Sequence, residues 1–549
     1  MTTTHDLTEL AQHEFGLVPR PHRRRQRAPA WSARRLWFGG AVVAVLWCLW
    51  SAGVGRGEVV NPGGWTVFWR FWRAAIDPEL SSEFLRQTWD GTLTTIAFAV
   101  LGTALAVLIG LVGGVLTSET WWRQRGVAGA GRLRQGWLVG RGLSALPRGV
   151  HEAVWGLFLV NVLGRDPMVG VLAIAIPFGA VTAKVYADLI DEAAREPYEA
   201  LRMAGAGRVA GLAYGVFPAV LPELVSYAFY RLECSIRSAV ILGMIGAGGL
   251  GFQLNLSFQS LNYGEMWTSI YALVAVSALA DLWGASLRRR RASGGRRVRV
   301  SIWAGAILVL ASVVKLGPDV GRLASAHTRR LFADIVSASW PPSLPVDGWG
   351  GLVRRSVETV QMSLLAIVIA STLAVVAAFV AARGGDGGAR RSVAALARLL
   401  LLVTRAIPPP VWALLVLFVL FPGPLPGAVA LGIYNFGILG RLMSEVVENL
   451  DERPAAAMRA QGAPRLSAFA YATVPLSISR FAAHALYRWE VAVRETVVVG
   501  VVGAGGLGRL LEQQRAAFDY GGMVGTVVAL IAVSVLIDLV SASARRSLR

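Results

Sequence analysis

The second half of this chain repeats the first at one fixed offset. Arg231 is matched by Arg488, Gly251 by Gly508, Tyr263 by Tyr520 and Asp281 by Asp538, each pair 257 positions apart. No gap is needed from Arg148 to the C-terminus, and about a third of the aligned positions from 148 to 251 are identical, more than shared composition produces. The repeated units are apolar runs of about 20 residues, the length that crosses a bilayer as an α-helix. They fall near 36–54, 92–116, 142–163, 168–187, 222–245 and 265–286, and again near 301–316, 359–382, 399–421, 425–442, 479–502 and 521–541. A chain so patterned is expected to be an all-α polytopic membrane protein of about 12 transmembrane helices, built as two parallel six-helix repeats. The expected division is a basic N-terminal segment at 1–35, a first copy at 36–292 and a second at 293–549.

Composition agrees: 54% of residues are hydrophobic and 16% charged, which excludes disorder, a coiled coil and an ordinary soluble globule. The net charge of +20 raises the question of nucleic acid. Its distribution answers it, because the arginines cluster between apolar runs, at 20–27, 123–134, 288–299 and 389–391, without aromatic interleaving. Loops of that kind stay in the cytoplasm, so both termini are expected there, in a multi-pass protein of the cell membrane. Cys48 and Cys234 both lie in apolar runs and are read as small buried hydrophobes, with no disulfide framework.

An even number of spans per copy gives both copies the same orientation, related by an axis along the membrane normal. The interface on that axis is the natural place for a pathway. Between the fourth and fifth spans of the first copy lies a polar stretch, DEAAREPYEALRMAGAGRVAGLAYGVFP, at 191–218. Helix-favouring residues up to Ala204 followed by Gly205 predict a short helix with a clean stop. Its core is Glu199-Ala200-Leu201, then Gly205 and Pro218; the second copy has Ala456-Ala457-Met458, then Gly462 and Pro475, without the carboxylate.

The fifth span carries the least expected chemistry. Arg231, Glu233 and Arg237 recur as Arg488, Glu490 and Arg494. Each ion in hydrocarbon costs about 2.5–3.5 kcal/mol, so these groups must pair or face a watery interior. Glu233 and Arg237 are four apart, on one helical face, and can pair; Arg231 must find another partner. They either lock the bundle or give the translocation pathway a positive lining for an oxyanion, which the planar fork of arginine binds bidentately. The sequence GAGGLG follows, with Gly246, Gly248 and Gly249 matched by Gly503, Gly505 and Gly506. It satisfies a dinucleotide-binding pattern by letters only, since it ends a membrane helix; a tight turn or irregular backbone at the outer mouth is expected. In the third span Pro408, Pro409 and Pro410 imply a broken helix in the second copy, while His151 and Glu152 of the first are read as satisfied polar groups.

Together, the loop around Glu199, the YRxE(x)3R core at 230–237 and 487–494, and the GAGGLG after it resemble the phosphonate ABC transporter permease family, here as two permease copies fused in one chain. The resemblance implies that Glu199, Ala200, Gly205, Ala457 and Gly462 belong to loops that dock into an ATPase. It also implies the partners: two cytoplasmic ATPase subunits carrying ATP and Mg, and an extracytoplasmic binding protein that delivers phosphonate, phosphate or a related oxyanion. Neither Lys184 nor Lys315 sits in a P-loop, so no ATPase motif, catalytic residue, metal site or cofactor of the chain's own is expected. The rival is a secondary transporter or anion channel of two parallel repeats, using Glu233, Glu490 and Glu495 for ion coupling.

Overall fold

A computed structural model describes residues 31–55, 59–122, 137, 140–142, 144, 146–164, 166–288, 295–382 and 388–548. Among them the chain is helical throughout, with one isolated antiparallel bridge between Val60 and Leu420. The principal helices of the first copy are α1 (Trp31–Ser51), α2 (Gly64–Arg73), α3 (Ser82–Thr117), α4 (Glu152–Leu163), α5 (Pro167–Glu192), α6 (Glu196–Met203), α7 (Arg208–Ala247), α8 (Gly249–Gln259) and α9 (Tyr263–Arg288). The second copy supplies α10 (Gly295–Leu316), α11 (Ala326–Ala338), α12 (Gly348–Ala381), α13 (Gly388–Ala406), α14 (Pro409–Val419), α15 (Pro424–Glu448), α16 (Arg453–Ala460), α17 (Arg465–Ala504), α18 (Gly506–Ala516) and α19 (Tyr520–Leu548).

Among the described residues eight helices are long and apolar enough to cross a membrane unbroken, and two bent pairs, α13 with α14 and α17 with α18, raise the number to ten. Two shorter apolar helices, within α1 and at α4, account for the rest of the twelve runs. The third run of each copy is therefore not a straight span. In the second copy the break lies at Ile407–Pro408 and turns the axis by 92°. Three consecutive prolines remove three donors and force the preceding backbone out of the helical region. The first copy breaks at the same place by other means: His151 takes an extended conformation and its Nδ1 accepts the Ala153 N–H at 3.2 Å, capping α4. The fifth run starts earlier than its hydropathy suggests. α7 begins at Arg208, and the expected loop at 191–218 includes its first turns, where a π-helical turn at Leu212–Val216 accommodates Pro218.

The two copies are interlocked. α10 packs along α3 of the first copy, with Lys315 paired to Asp90 and the Trp283 indole of α9 donating to Ser301 at 3.3 Å. Reciprocally, α1 packs along α12: Cys48 is buried against Leu365 and Ala428, and Gln361 donates to Ser51 at 2.8 Å. The short helices exchange too. α2 lies on α14, with the Asn61 N–H bonded to the Val419 carbonyl at 2.7 Å, while α11 reaches α4, where Phe332 meets Phe158 edge-on and Arg322 pairs with buried Asp166 at 3.1 Å. One core unites both halves, from Phe98, Ile174 and Leu242 to Met362, Trp412 and Leu431. Close approach of α3 and α5 depends on glycine: a Cβ on Gly102 would stand 2.8 Å from Ile174, and one on Gly114 2.7 Å from Tyr186.

Candidate translocation site

The long helices α7 and α17 bring their charged turns to the interface between the copies. There they border a cavity of about 350 Å³ lined by Arg148, Arg231, Arg237, Arg405, Arg441, Arg488 and Arg494 against Glu152, Glu233 and Glu495. Ile241 and Val498, the same position of the two copies, lie at its edge and pack together with Ala153, 6% and 2% exposed. Tyr230 and Tyr487, about three turns back along the same helices toward α6 and α16, are 44% and 58% exposed. The cavity is thus sealed by aliphatic side chains on the side of the glycine turns and accessible on the side of the short helices.

The pairings differ between the copies. Glu233 holds Arg237 at 3.5 Å, as the spacing of four predicts, and also Arg405 from the other copy at 3.5 Å. Arg405 is fixed in addition by Asp281 at 2.8 Å, and Arg441 approaches Asp281 at 3.6 Å. In the second copy Glu490 does not pair with Arg494 and does not line the cavity; Arg545 takes it. Arg488 pairs with Glu495 at 2.5 Å and donates to Asn435, whereas among the described residues its twin Arg231 donates only to the Tyr227 hydroxyl, at 2.5 and 2.8 Å, beneath the ring of Phe178. Arg494 donates to the carbonyl oxygens of Arg148 and Glu490. The difference is written in four substitutions between the copies: Tyr227 against His484, Ser238 against Glu495, Phe178 against Asn435, and Pro177 against Tyr434.

Of the sequence-predicted pathway residues, Arg231, Glu233, Arg237, Arg488 and Arg494 meet in one cavity and Glu490 stands beside it. Sequence reading missed Arg148, Arg405 and Arg441. The signal was available for all three, which are ionised, lie in apolar runs and recur as cations at the repeat offset, Arg148 with Arg405 and Arg441 with Lys184. Cys234 corrects another expectation: it is only half-buried and borders the cavity, with Sγ 3.8 Å from Arg237 Nη2, whereas Cys48 is 1% exposed. His151 and Glu152 are satisfied, the second accepting from Ser238 at 2.6 Å.

At one end of α7 and α17 stand the short helices. α6 ends with Gly205 at φ +88° and the Ala206 N–H bonded to the Leu201 carbonyl; α16 ends likewise with Gly462 at φ +85° and the Ala463 N–H on the Met458 carbonyl. Their anchoring differs. Tyr198 of α6 is 9% exposed and packs over Gly211 and Gly215, whereas the related positions of the second copy are Ala455, Ala468 and Ala472, and α16 buries no residue of its own. At the other end lie the glycine turns. Gly246, Gly248 and Gly249, like Gly503, Gly505 and Gly506, all have positive φ, and the chain turns there into α8 and α18. The Leu250 N–H is held by Thr95 and the Leu507 N–H by Thr359, both at 2.9 Å. In the second copy only, Glu358 also accepts the Gly506 N–H at 2.9 Å.

A two-fold helical bundle with a charged cavity on its axis is the architecture of a membrane transport component. The family described as "Binding-protein-dependent transport system inner membrane component" matches residues 127–293 and 372–549, more than half of the chain, and the chain belongs to that family. It is 28% identical over 453 residues to the phosphate-import permease protein PhnE of Mycolicibacterium smegmatis, covering 80% of this chain and 82% of that one. It is 35% identical over 169 residues to the putative phosphite transport system permease protein HtxE of Stutzerimonas stutzeri, covering 31% of this chain and 65% of that one. It is also 31% identical over 118 residues to the putative cryptic phosphonate transport system permease protein PhnE2 of Escherichia coli, covering 22% and 97%. Among solved structures, the MetNI methionine ABC transporter in inward-facing form aligns with 38% of this chain and 98% of its own, at 21% identity and a TM-score of 0.33.

Proposed function

We propose that this chain is the transmembrane permease subunit of an ATP-driven importer for phosphate, phosphite or a phosphonate. The observation that carries the reading is the cavity between the copies, where seven arginines face three glutamates. In a low-dielectric surrounding such an excess of fixed cations attracts a small oxyanion and repels cations. Space equal to about ten waters suffices for one tetrahedral oxyanion with part of its hydration. The glutamates Glu233, Glu490 and Glu495 are each bound to an arginine, which favours this reading over ion coupling through free carboxylates. The related permeases named for phosphate, phosphite and phosphonate support the substrate class.

In this reading α6 and α16 face the cytoplasm, each received by one ATPase subunit carrying ATP and Mg, and an extracytoplasmic binding protein delivers the substrate above the glycine turns. Glu199, Ala200, Gly205, Ala457 and Gly462 form the docking loops. α7 and α17 connect these short helices to the cavity and to the seal at Ile241 and Val498, so a displacement at one end moves both. Closing the cytoplasmic side while parting the seal gives alternating access. The experiment is reconstitution with the ATPase and binding protein in liposomes, measuring uptake of labelled phosphate, phosphite and methylphosphonate. ATP-dependent uptake of one of these is expected. Uptake by the lone chain under an ion gradient would overturn the reading in favour of a secondary transporter.

A further inference from the structure

The three arginine pairs related by the repeat are not electrostatically equivalent. Arg405 has Glu233 and Asp281, Arg488 has Glu495, and Arg237 has Glu233. Their twins Arg148, Arg231 and Arg494 have no carboxylate oxygen within 4.0 Å among the described residues, although all six border the same cavity. Asp538, the twin of the Asp281 that grips Arg405, stands beyond that distance from both Arg148 and Arg494 and shares its field with Glu490 and Arg545. Among the described residues each pair has thus kept one neutralised member and one without a carboxylate partner, Arg231 being bonded to the Tyr227 hydroxyl and Arg494 to carbonyl oxygens.

A guanidinium already bonded to a buried carboxylate must surrender that partner to bind another anion, and the stranded carboxylate opposes the exchange. One bonded to neutral oxygens keeps its full charge and still has N–H groups to offer. We propose that the oxyanion is bound off the two-fold axis by Arg148, Arg231 and Arg494, and that Arg237, Arg405 and Arg488 are structural cations that hold the interface closed around it. This rests on the oxyanion-import reading and deepens it. A duplicated chain can differentiate its halves in this way, whereas a dimer of identical chains carries every substitution on both sides.

Cys234 supplies a native reporter, because it borders the cavity while Cys48 is buried. The test uses the full chain in lipid nanodiscs and measures alkylation of Cys234 by N-ethylmaleimide, located by mass spectrometry, against rising inorganic phosphate, phosphite or methylphosphonate. Arg148→Gln, Arg231→Gln and Arg494→Gln should each raise the half-protecting concentration by about tenfold or more without lowering the melting temperature. The Arg231→Lys variant, which keeps the charge, should recover part of the effect. Arg488→Gln, which strands Glu495, and Arg405→Gln, which takes from Asp281 its nearer cation, should instead lower the melting temperature and shift protection less than their twins do. Equal shifts within each pair would overturn the asymmetry while leaving the import reading intact. Failure of all three anions to protect wild-type Cys234 would remove the import reading itself.

Discussion

Gly251 and Gly508 show how tightly single residues are constrained beside the pathway. A Cβ on Gly251 would stand 1.9 Å from the Val240 carbonyl oxygen, and one on Gly508 2.4 Å from that of Val497. Backbone atoms cannot step aside as a side chain can. Gly251→Ala and Gly508→Ala are therefore expected to destabilise the protein by about 3 kcal/mol, as severe overpacking does, seen as a large fall in melting temperature. Gly205 is the contrast. It has φ +88° but open space around its Cβ position, so Gly205→Ala should lose only about 1 kcal/mol. The charged residues were legible as unusual from their place in apolar runs, but their partners were not. Glu233 pairs as its spacing predicts; Glu490, at the same spacing from Arg494, is captured by Arg545, 55 positions away.

Among the elements, α6 and α16 look alike in sequence position and in their glycine stops yet sit differently on their bundles. Tyr198 fills the space left by Gly211 and Gly215; the second copy has alanine at all three related positions, 455, 468 and 472. Replacing Tyr198 by alanine should leave a void under α6 and weaken transmission of its motion to α7. The expected outcome is reduced stimulation of the partner ATPase by substrate, with the complex still assembled; an equal effect from Ala455→Gly would argue against a special role for the tyrosine. The glycine turns differ as well. Glu358 caps α18, and its replacement by alanine should lower stability by about 1–2 kcal/mol in a thermal shift assay. The first copy has Thr94 at the related place, bonded instead to the Asp90 carbonyl, so Thr94→Ala should be nearly silent.

At the scale of the whole molecule, the exchange of α1 and α10 across the interface makes the halves mutually dependent. Each copy's first helix is packed on the other copy's bundle, and the short helices α2 and α11 repeat the exchange. Splitting the chain between Arg288 and Gly295 and expressing both pieces together should therefore yield halves that purify as one complex. Halves that separate in mild detergent would show that continuity of the chain, and not the exchanged packing, holds the interface.

Sequence alone determined that this is a duplicated helical membrane protein, where its helices run, and which ionised groups lie within them. Those conclusions follow from the lengths of apolar runs, a constant offset and the cost of burying charge, all of which are properties of position along the chain. Only the tertiary structure decided that the first helices exchange, that the third run of the first copy breaks as the prolines break that of the second, and which arginines of each related pair are neutralised. Those outcomes depend on which distant side chains arrive within a few ångströms of one another. Arg231 and Arg488 stand at the same register, each with a tyrosine one position before and a glutamate two positions after, and it is the Tyr227 hydroxyl on one side and Glu495 with Asn435 on the other that make them different.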